Sequence, residues 1–465
     1  MILHPLDLAL LVSYLIGIFV IGYKRKSTGS DADYLVMSRK LTLPAFVMTL
    51  VSTWYGGILG VSEYSTSYGI SNWVIFGLPY YVFGVGFAML VAKRARNLQV
   101  NSLPEIMVRD YGKSAGIVAS VWVLLLASPA PYILTLGILL NFFLGISLNL
   151  AIVIGTIFSL IYIYNGGFTS VVNTDKIQFT LMFIGFFIIL TVLSFTYMTP
   201  SELWVSLPAS HRSLTGGNSI GYIVVWFFIG SWTLVDPGFH QRVYATSTPE
   251  VARKGILWAV LFWFCFDLMT TATGLYAFSY LPPDMIPSQA FLLLGQHILP
   301  IGLQGLFFIG ILATVMSTLD SNALISGITL GKDVLGGFPQ FKKFSGNALA
   351  KYGMIVILML SVLLAIWMPS VIGLWYTFGT IAIPALLLPT LSSIFNRPLL
   401  NSSARWNLIL PPLAAILWFL FGKVDETSYF WSIEPFYPGL LCSLLILSLD
   451  LNLKRKRSNE FQPEK

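Results

Sequence analysis

The sequence predicts an all-α integral membrane protein of about thirteen transmembrane helices, and three observations predict it. First, 56% of the 465 residues are hydrophobic and only 10% are charged, against about 25% charged in an ordinary soluble domain. Second, the apolar residues fall into thirteen runs near the roughly 20-residue length that a helix needs to cross a bilayer. Third, 25 of the 27 Lys and Arg residues fall in alternate connections between those runs, the asymmetry expected when basic residues stay in the cytoplasm. This composition excludes a soluble enzyme, a disordered chain and a nucleic-acid binder. Bilayer partition accounts for the net charge of +7 without an acidic partner.

The runs lie at 5–23, 43–69, 71–92, 114–144, 148–165, 177–198, 220–240, 255–281, 300–330, 351–368, 371–391, 406–422 and 437–453. The first is followed, not preceded, by Lys24-Arg25-Lys26, which is the reverse of a signal peptide. That cluster predicts an external N-terminus and, after thirteen crossings, an internal C-terminus; only Arg212 and Lys423 then fall outside. No connection between runs is long enough for a separate domain, so residues 1–465 form one transmembrane unit ending in a short basic cytoplasmic tail, 454–465. Cys265 and Cys442 both lie in apolar surroundings, giving neither a disulfide framework nor metal-ligand spacing.

Two runs are interrupted in a related way. The second contains Val51-Ser52-Thr53-Trp54-Tyr55-Gly56-Gly57, and the seventh contains Gly230-Ser231-Trp232-Thr233-Leu234-Val235-Asp236-Pro237-Gly238. Backbone polar groups freed at such breaks cannot be satisfied by lipid and must line a cavity or an ion site, although paired glycines also suit a close helix crossing. Interrupted helices five spans apart are the mark of a transporter built from two inverted repeats. Repeat one is 43–198 and repeat two 220–391, with peripheral helices at 5–23, 406–422 and 437–453.

The ninth run carries Ala313-Thr314-Val315-Met316-Ser317-Thr318-Leu319-Asp320-Ser321. Two adjacent hydroxyls beside freed carbonyls offer the oxygen donors that hard cations prefer. Equally, Ser and Thr in membrane helices often bond the carbonyl four residues back. Ionisable residues within spans mark pathways or buried pairs. Asp7 and Asp333 read as solvated ends. Asp267, among Phe264, Cys265 and Phe266, reads as a buried structural hydrogen-bonder. Asp236 suits either an ammonium group on a solute or, better, the N-cap of the helix resuming at Pro237.

These residues resemble the sodium:solute symporter family over about 5–390. Asp33-Tyr34 through Arg39 is similar to that family's segment before the first core helix. Gly166-Gly167-Phe168 through Thr174-Asp175-Lys176-Ile177-Gln178 resembles its stretch at the fifth core helix. Asp236-Pro237 through Gln241-Arg242, with Ala252-Arg253-Lys254, resembles its loop after the sixth core helix, and Ala313–Ser321 its "AAxMSTLDS" signature. The resemblance implies a leucine-transporter-like fold, alternating access and sodium coupling. It places the main sodium site on backbone oxygens of Ser52, Tyr55 and Thr314 with the Ser317 and Thr318 hydroxyls. A second cation falls on Asp175, Asp320 and Ser321, where two converging carboxylates would repel unless a cation, a shared proton or a basic side chain lies between them. Solute contacts fall on Trp54, Gly57, Trp226, Trp232 and Asp236, with Glu63 in the outer vestibule and Tyr80 and Tyr81 nearby.

The expected activity is sodium-coupled symport of a small organic solute across the plasma membrane, a bacterial inner membrane, with sodium, solute and lipid as partners and no cofactor beyond the coupling ion. A proton-coupled symporter using Asp175, Asp320 or Asp236 is the alternative within transport, and a solute-sensing receptor the alternative outside it. An enzyme is disfavoured because His4, His211, His240 and His297 are scattered.

Overall fold

The computed structural model describes residues 3–24, 31–424 and 429–460. Arg25 and Lys26 of the basic cluster, and residues 461–465 of the tail, lie outside that range. Among the described residues the regular structure is helical, with no strand beyond two isolated β-bridges. Among the described residues eleven helices are long and apolar enough to cross a membrane, and two shorter apolar helices, Leu43–Ser52 and Leu148–Tyr164, accompany them.

In chain order the principal helices are α1 (Pro5–Lys24), α2 (Leu43–Ser52), α3 (Ile58–Tyr68), α4 (Leu78–Gly86), α5 (Lys113–Leu126), α6 (Ala130–Leu144) and α7 (Leu148–Thr196). There follow α8 (Ile220–Ile229), α9 (Pro237–Ala245), α10 (Pro249–Tyr280), α11 (Ala290–Ile298), α12 (Leu303–Ile328), α13 (Gly346–Trp367), α14 (Val371–Ile394), α15 (Asn401–Phe421) and α16 (Phe436–Glu460). The runs 148–165 and 177–198 are joined: α7 continues through 166–176, kinked where Gly167 takes φ +57° and ψ −155°. A side chain at 167 would collide with the ring and carbonyl of Tyr34, so the kink lets a backbone pass where only glycine fits. Asp175 and Lys176, expected at a helix end, therefore lie inside a helix.

At the centre is α12, with 89% of its apolar window buried, packed chiefly against α7. The corresponding figure is 28% for α1 and α16 and 33% for α15, as lipid-facing helices require. On α12 and α7 the glycines Gly310 and Gly185 bring the backbones close: a Cβ on Gly185 would lie 3.1 Å from the Gly310 Cα. Small residues at such crossings permit the van der Waals contact that drives helix association in lipid.

Asp7 corrects one expectation. It is fully buried, not solvated, and its Oδ1 accepts from the Gly302 and Gly305 amides at 2.8 Å each. A carboxylate from α1 thereby caps the first turn of α12, whose amides have no partner within the helix.

At one end of the bundle the segment preceding α2 is fastened across the chain. Arg39 donates to the carbonyls of Tyr244 (2.8 Å), Gln99 (2.9 Å) and Val100 (3.1 Å) and to Asn101 Oδ1 (3.2 Å). Beside it Leu41 bridges to Thr246, and Arg96 Nε donates to the Thr246 carbonyl at 2.8 Å.

Candidate functional site

Both interrupted runs are broken helices, and each break has a local cause. α2 ends at Ser52, and the chain leaves helical geometry until Gly57 precedes α3. Thr53 Oγ1 turns back to the Thr49 carbonyl at 2.7 Å, taking up one of the groups the lost turn exposes. Gly56 and Gly57 are required by what faces them. A Cβ on Gly56 would come within 2.7 Å of Thr318 Oγ1, and one on Gly57 would enter the Trp375 ring.

The second break runs from a tight 3-10 turn, Gly230–Leu234, into α9. Pro237 occupies the first turn of α9, where its missing N–H is no loss. Asp236 is the N-cap: its Oδ1 accepts from the Phe239 amide at 2.7 Å and its Oδ2 from Trp232 Nε1 at 3.1 Å. The Leu234 carbonyl freed by the break is met by His240 Nε2 at 3.0 Å.

Against the first break lies the hydroxyl pair of α12. Ser52, Thr314, Ser317 and Thr318 are all at most 1% exposed. Ser317 Oγ lies 2.9 Å from Ser52 Oγ and donates to Asp175 Oδ1 at 2.6 Å. Thr318 Oγ1 donates to the Thr314 carbonyl at 3.0 Å. The Tyr55 side chain points elsewhere, its hydroxyl donating to the Trp263 carbonyl at 3.1 Å. An all-oxygen cluster of buried hydroxyls and a carboxylate fits a hard cation. A serine that donates to a carboxylate is polarised so that its lone pairs become better ligands, the usual service of an outer partner.

The three residues read as a second cation set are not gathered round one point, although Asp175 and Ser321 share Arg242. Asp175 joins the Ser317–Ser52 cluster instead. Thr49 also donates to it, and Arg242 Nη2 stands 3.7 Å away. Asp320 is gripped by the Tyr162 hydroxyl, 2.5 Å from both carboxylate oxygens. Ser321 accepts from Arg242 Nη2 at 2.8 Å. Arg242 is 1% exposed and thus sits as a basic bridge between Asp175 and Ser321.

Between the two breaks opens a cavity of about 930 Å³, open space at its mouth included. Of the candidate solute residues, Trp54, Tyr80, Trp226, Trp232 and Asp236 line it, and so does Tyr55, expected only as a backbone ligand for sodium. Gly57 does not; it makes room for Trp375, which does. Glu63 and Tyr81 are likewise absent from the lining. Sequence reasoning missed Tyr132, Trp375, Asn322 and Arg242 in the wall. The signal for Tyr132 was present in Ser128-Pro129-Ala130-Pro131, which separates α5 from α6. Asp267, read as structural, also faces the cavity. Among the described residues no group of His, Cys, Asp and Glu could hold a metal ion by itself.

A model of the "Sodium:solute symporter family" matches residues 34–396. A curated relative, the "High-affinity proline transporter PutP" of Bacillus subtilis, is 24% identical, with 94% of this chain and 95% of the relative covered. A "Sodium/pantothenate symporter" of Haemophilus influenzae is also 24% identical, covering 77% of this chain and 78% of its own. Among solved structures, a substrate-bound, outward-open sodium-coupled sialic acid symporter superposes with a TM-score of 0.78 at 19% identity, over 96% of both chains. A nucleobase-cation-symport-1 family transporter does so at 0.57; at these identities the likeness concerns fold. The matched family is one of sodium symporters, in which sodium is the coupling ion and no enzymatic cofactor is implied. The match spans both helix breaks, the Asp175 stretch and the α12 hydroxyls: this multi-pass membrane chain belongs to the sodium:solute symporter family, a family of transporters and not of enzymes.

Proposed function

We propose that the protein carries a small organic solute into the cell by sodium symport and alternating access. The observation that carries this reading is that the break after α2 touches the α12 hydroxyls on one side and lines the solute cavity with Trp54 and Tyr55 on the other. Ion and solute would therefore share one element, which is what coupling requires. Sodium would rest on the Ser52, Tyr55 and Thr314 carbonyls and the Ser317 and Thr318 hydroxyls, with Asp175 behind Ser317. The Asp175–Arg242 contact favours a basic bridge over a second sodium ion at Asp175, Asp320 and Ser321.

Thirteen spans, an external N-terminus, an internal C-terminus, the inverted repeats 43–198 and 220–391 and a bacterial inner-membrane location complete the proposal. The Lys/Arg partition supports the orientation, and the bacterial relatives support the location. In the cycle, sodium entering from outside secures the first break against α12 and completes the cavity. Solute follows, the outer side closes, and low internal sodium releases the ion. An inward-negative potential adds about 2.3 kcal/mol per charge per 100 mV.

Proteoliposomes with an imposed sodium gradient test this. Accumulation of a radiolabelled solute that collapses when sodium is replaced by potassium on both sides is the expected result. Uptake that follows a proton gradient and ignores sodium refutes it.

A further inference from the structure

Resting on that transport reading, we propose that the solute carries a cationic nitrogen and that Asp267 is the residue that recognises it. Four features of the cavity converge on this.

First, Asp236 is not free to bind an ammonium, because one of its oxygens caps α9 and the other accepts from Trp232. Second, the cavity's basic residue, Arg242, is already committed to Asp175 and to the Ser321 hydroxyl. Third, Asp267 faces the cavity from α10 at 5% exposure, with Oδ2 held by the Tyr81 hydroxyl. Among the described residues no Lys, Arg or His lies within ion-pair distance of it. A carboxylate taken out of water beside the Tyr81 and Tyr55 hydroxyls, with no counter-charge, is costly until a cation arrives.

The fourth feature is the wall beside it. Trp263 lies one turn before Asp267 on the same face of α10. Its ring stands 5.2 Å from Trp54, which meets Tyr80 at 5.0 Å and Phe239 at 5.5 Å. Trp54, Tyr80 and Phe239 line the cavity with Asp267. Aromatic faces attract a cation through the ring quadrupole, and such cages hold substituted ammonium groups. Elsewhere on the wall, Trp226 Nε1 is buried without a hydrogen-bond partner. It is a donor awaiting an oxygen on the rest of the solute. The class of ligand is thus an amine or ammonium compound of metabolite size that also bears an oxygen acceptor.

The test uses the purified full-length protein in sodium chloride and reads thermal unfolding against choline, ethanolamine, proline and glycine betaine. The neutral carbon analogue of choline, 3,3-dimethylbutan-1-ol, is the matched control. At least one nitrogen cation is expected to raise the melting temperature while the control does not. Losing a charge-assisted contact weakens binding by about tenfold or more, so Asp267→Asn should raise the half-saturating concentration of that cation by at least this factor. Tyr81→Phe, which frees the carboxylate but keeps its charge, should raise it less.

The proposal is overturned if none of the four compounds, each of which carries a cationic nitrogen, stabilises the protein. It is equally overturned if the neutral control binds as well as choline, or if Asp267→Asn leaves the half-saturating concentration unchanged. Should Asp267→Asn abolish stabilisation by sodium alone, Asp267 holds the ion and not the solute, which also overturns it. The wild-type response to sodium against potassium, without solute, separates these failures from failure of the transport reading.

Discussion

Substituting Gly56 by alanine tests whether the first break must touch α12 for sodium to bind. The added methyl would lie 2.6 Å from Tyr132 Cδ1 and 2.7 Å from Thr318 Oγ1, with Thr318 Cβ closer still. Thr318 cannot swing aside. It is β-branched and stiff about χ1, and its hydroxyl is held by the Thr314 carbonyl. The chain at 53–57 must therefore retreat from α12, at an overpacking cost of about 1–3 kcal/mol. If that cost falls on the ion site, the half-saturating sodium concentration rises by roughly five- to 150-fold, since 1.4 kcal/mol is tenfold. The assay is a sodium titration followed by tryptophan fluorescence, with Trp54 two residues from the substitution, and by sodium-driven uptake. Gly17→Ala on α1, where a methyl meets nothing within 4 Å, is the control and should behave as wild type. A folded Gly56→Ala protein with wild-type sodium dependence would refute the contact as a condition for coupling.

Ser317→Ala should remove both a sodium ligand and the donor to Asp175, so that uptake no longer responds to sodium in flux measurements while the protein remains folded. Asp7→Ala should lower stability by about 0.5–2 kcal/mol, the usual cost of a lost cap, seen as a reduced melting temperature with sodium affinity unchanged. Arg39→Ala removes four hydrogen bonds that fasten one end of the bundle; an added Ile325→Cys substitution in the cavity wall should then react faster with a soluble maleimide entering from that end. Burial raises the Glu434 carboxyl above its ordinary value, so folding takes up a proton there. Its contribution to stability is present at low pH and is lost as pH rises through the raised value, so Glu434→Gln should flatten the melting temperature between acid and neutral pH.

The membrane class, the broken helices and the hydroxyl pair were legible because each has a local cause in the sequence. Apolar length, Gly56-Gly57, Asp236-Pro237 and Ser317-Thr318 all act on their own neighbourhood. The N-cap role of Asp236 was readable for the same reason, since a cap is set by the next three residues. What was not legible depends on residues far apart in the chain. Asp7 looks like a solvated helix end until Gly302 and Gly305, some 300 positions away, are placed against it. The partners of Asp175 could not be read in advance, because Thr49, Ser317 and Arg242 converge on it only in the folded bundle. The kink at Gly167 hid the continuity of α7, because paired glycines read equally well as a helix end or as a bend. Asp267 is the buried hydrogen-bonder that its apolar neighbours suggested, accepting from Tyr81, but its place beside the cavity depends on helices far apart in the chain.

The shared carboxylate of Asp175 carries an evolutionary corollary. Thr49 before the first break, Ser317 on α12 and Arg242 beyond the second break all converge on it. A lineage that replaces this acid strands a guanidinium in the bilayer interior and leaves two hydroxyls without their acceptor. Drift at position 175 should therefore be accompanied by changes at 49, 242 and 317, three stretches with no reason to vary together unless one side chain ties their histories.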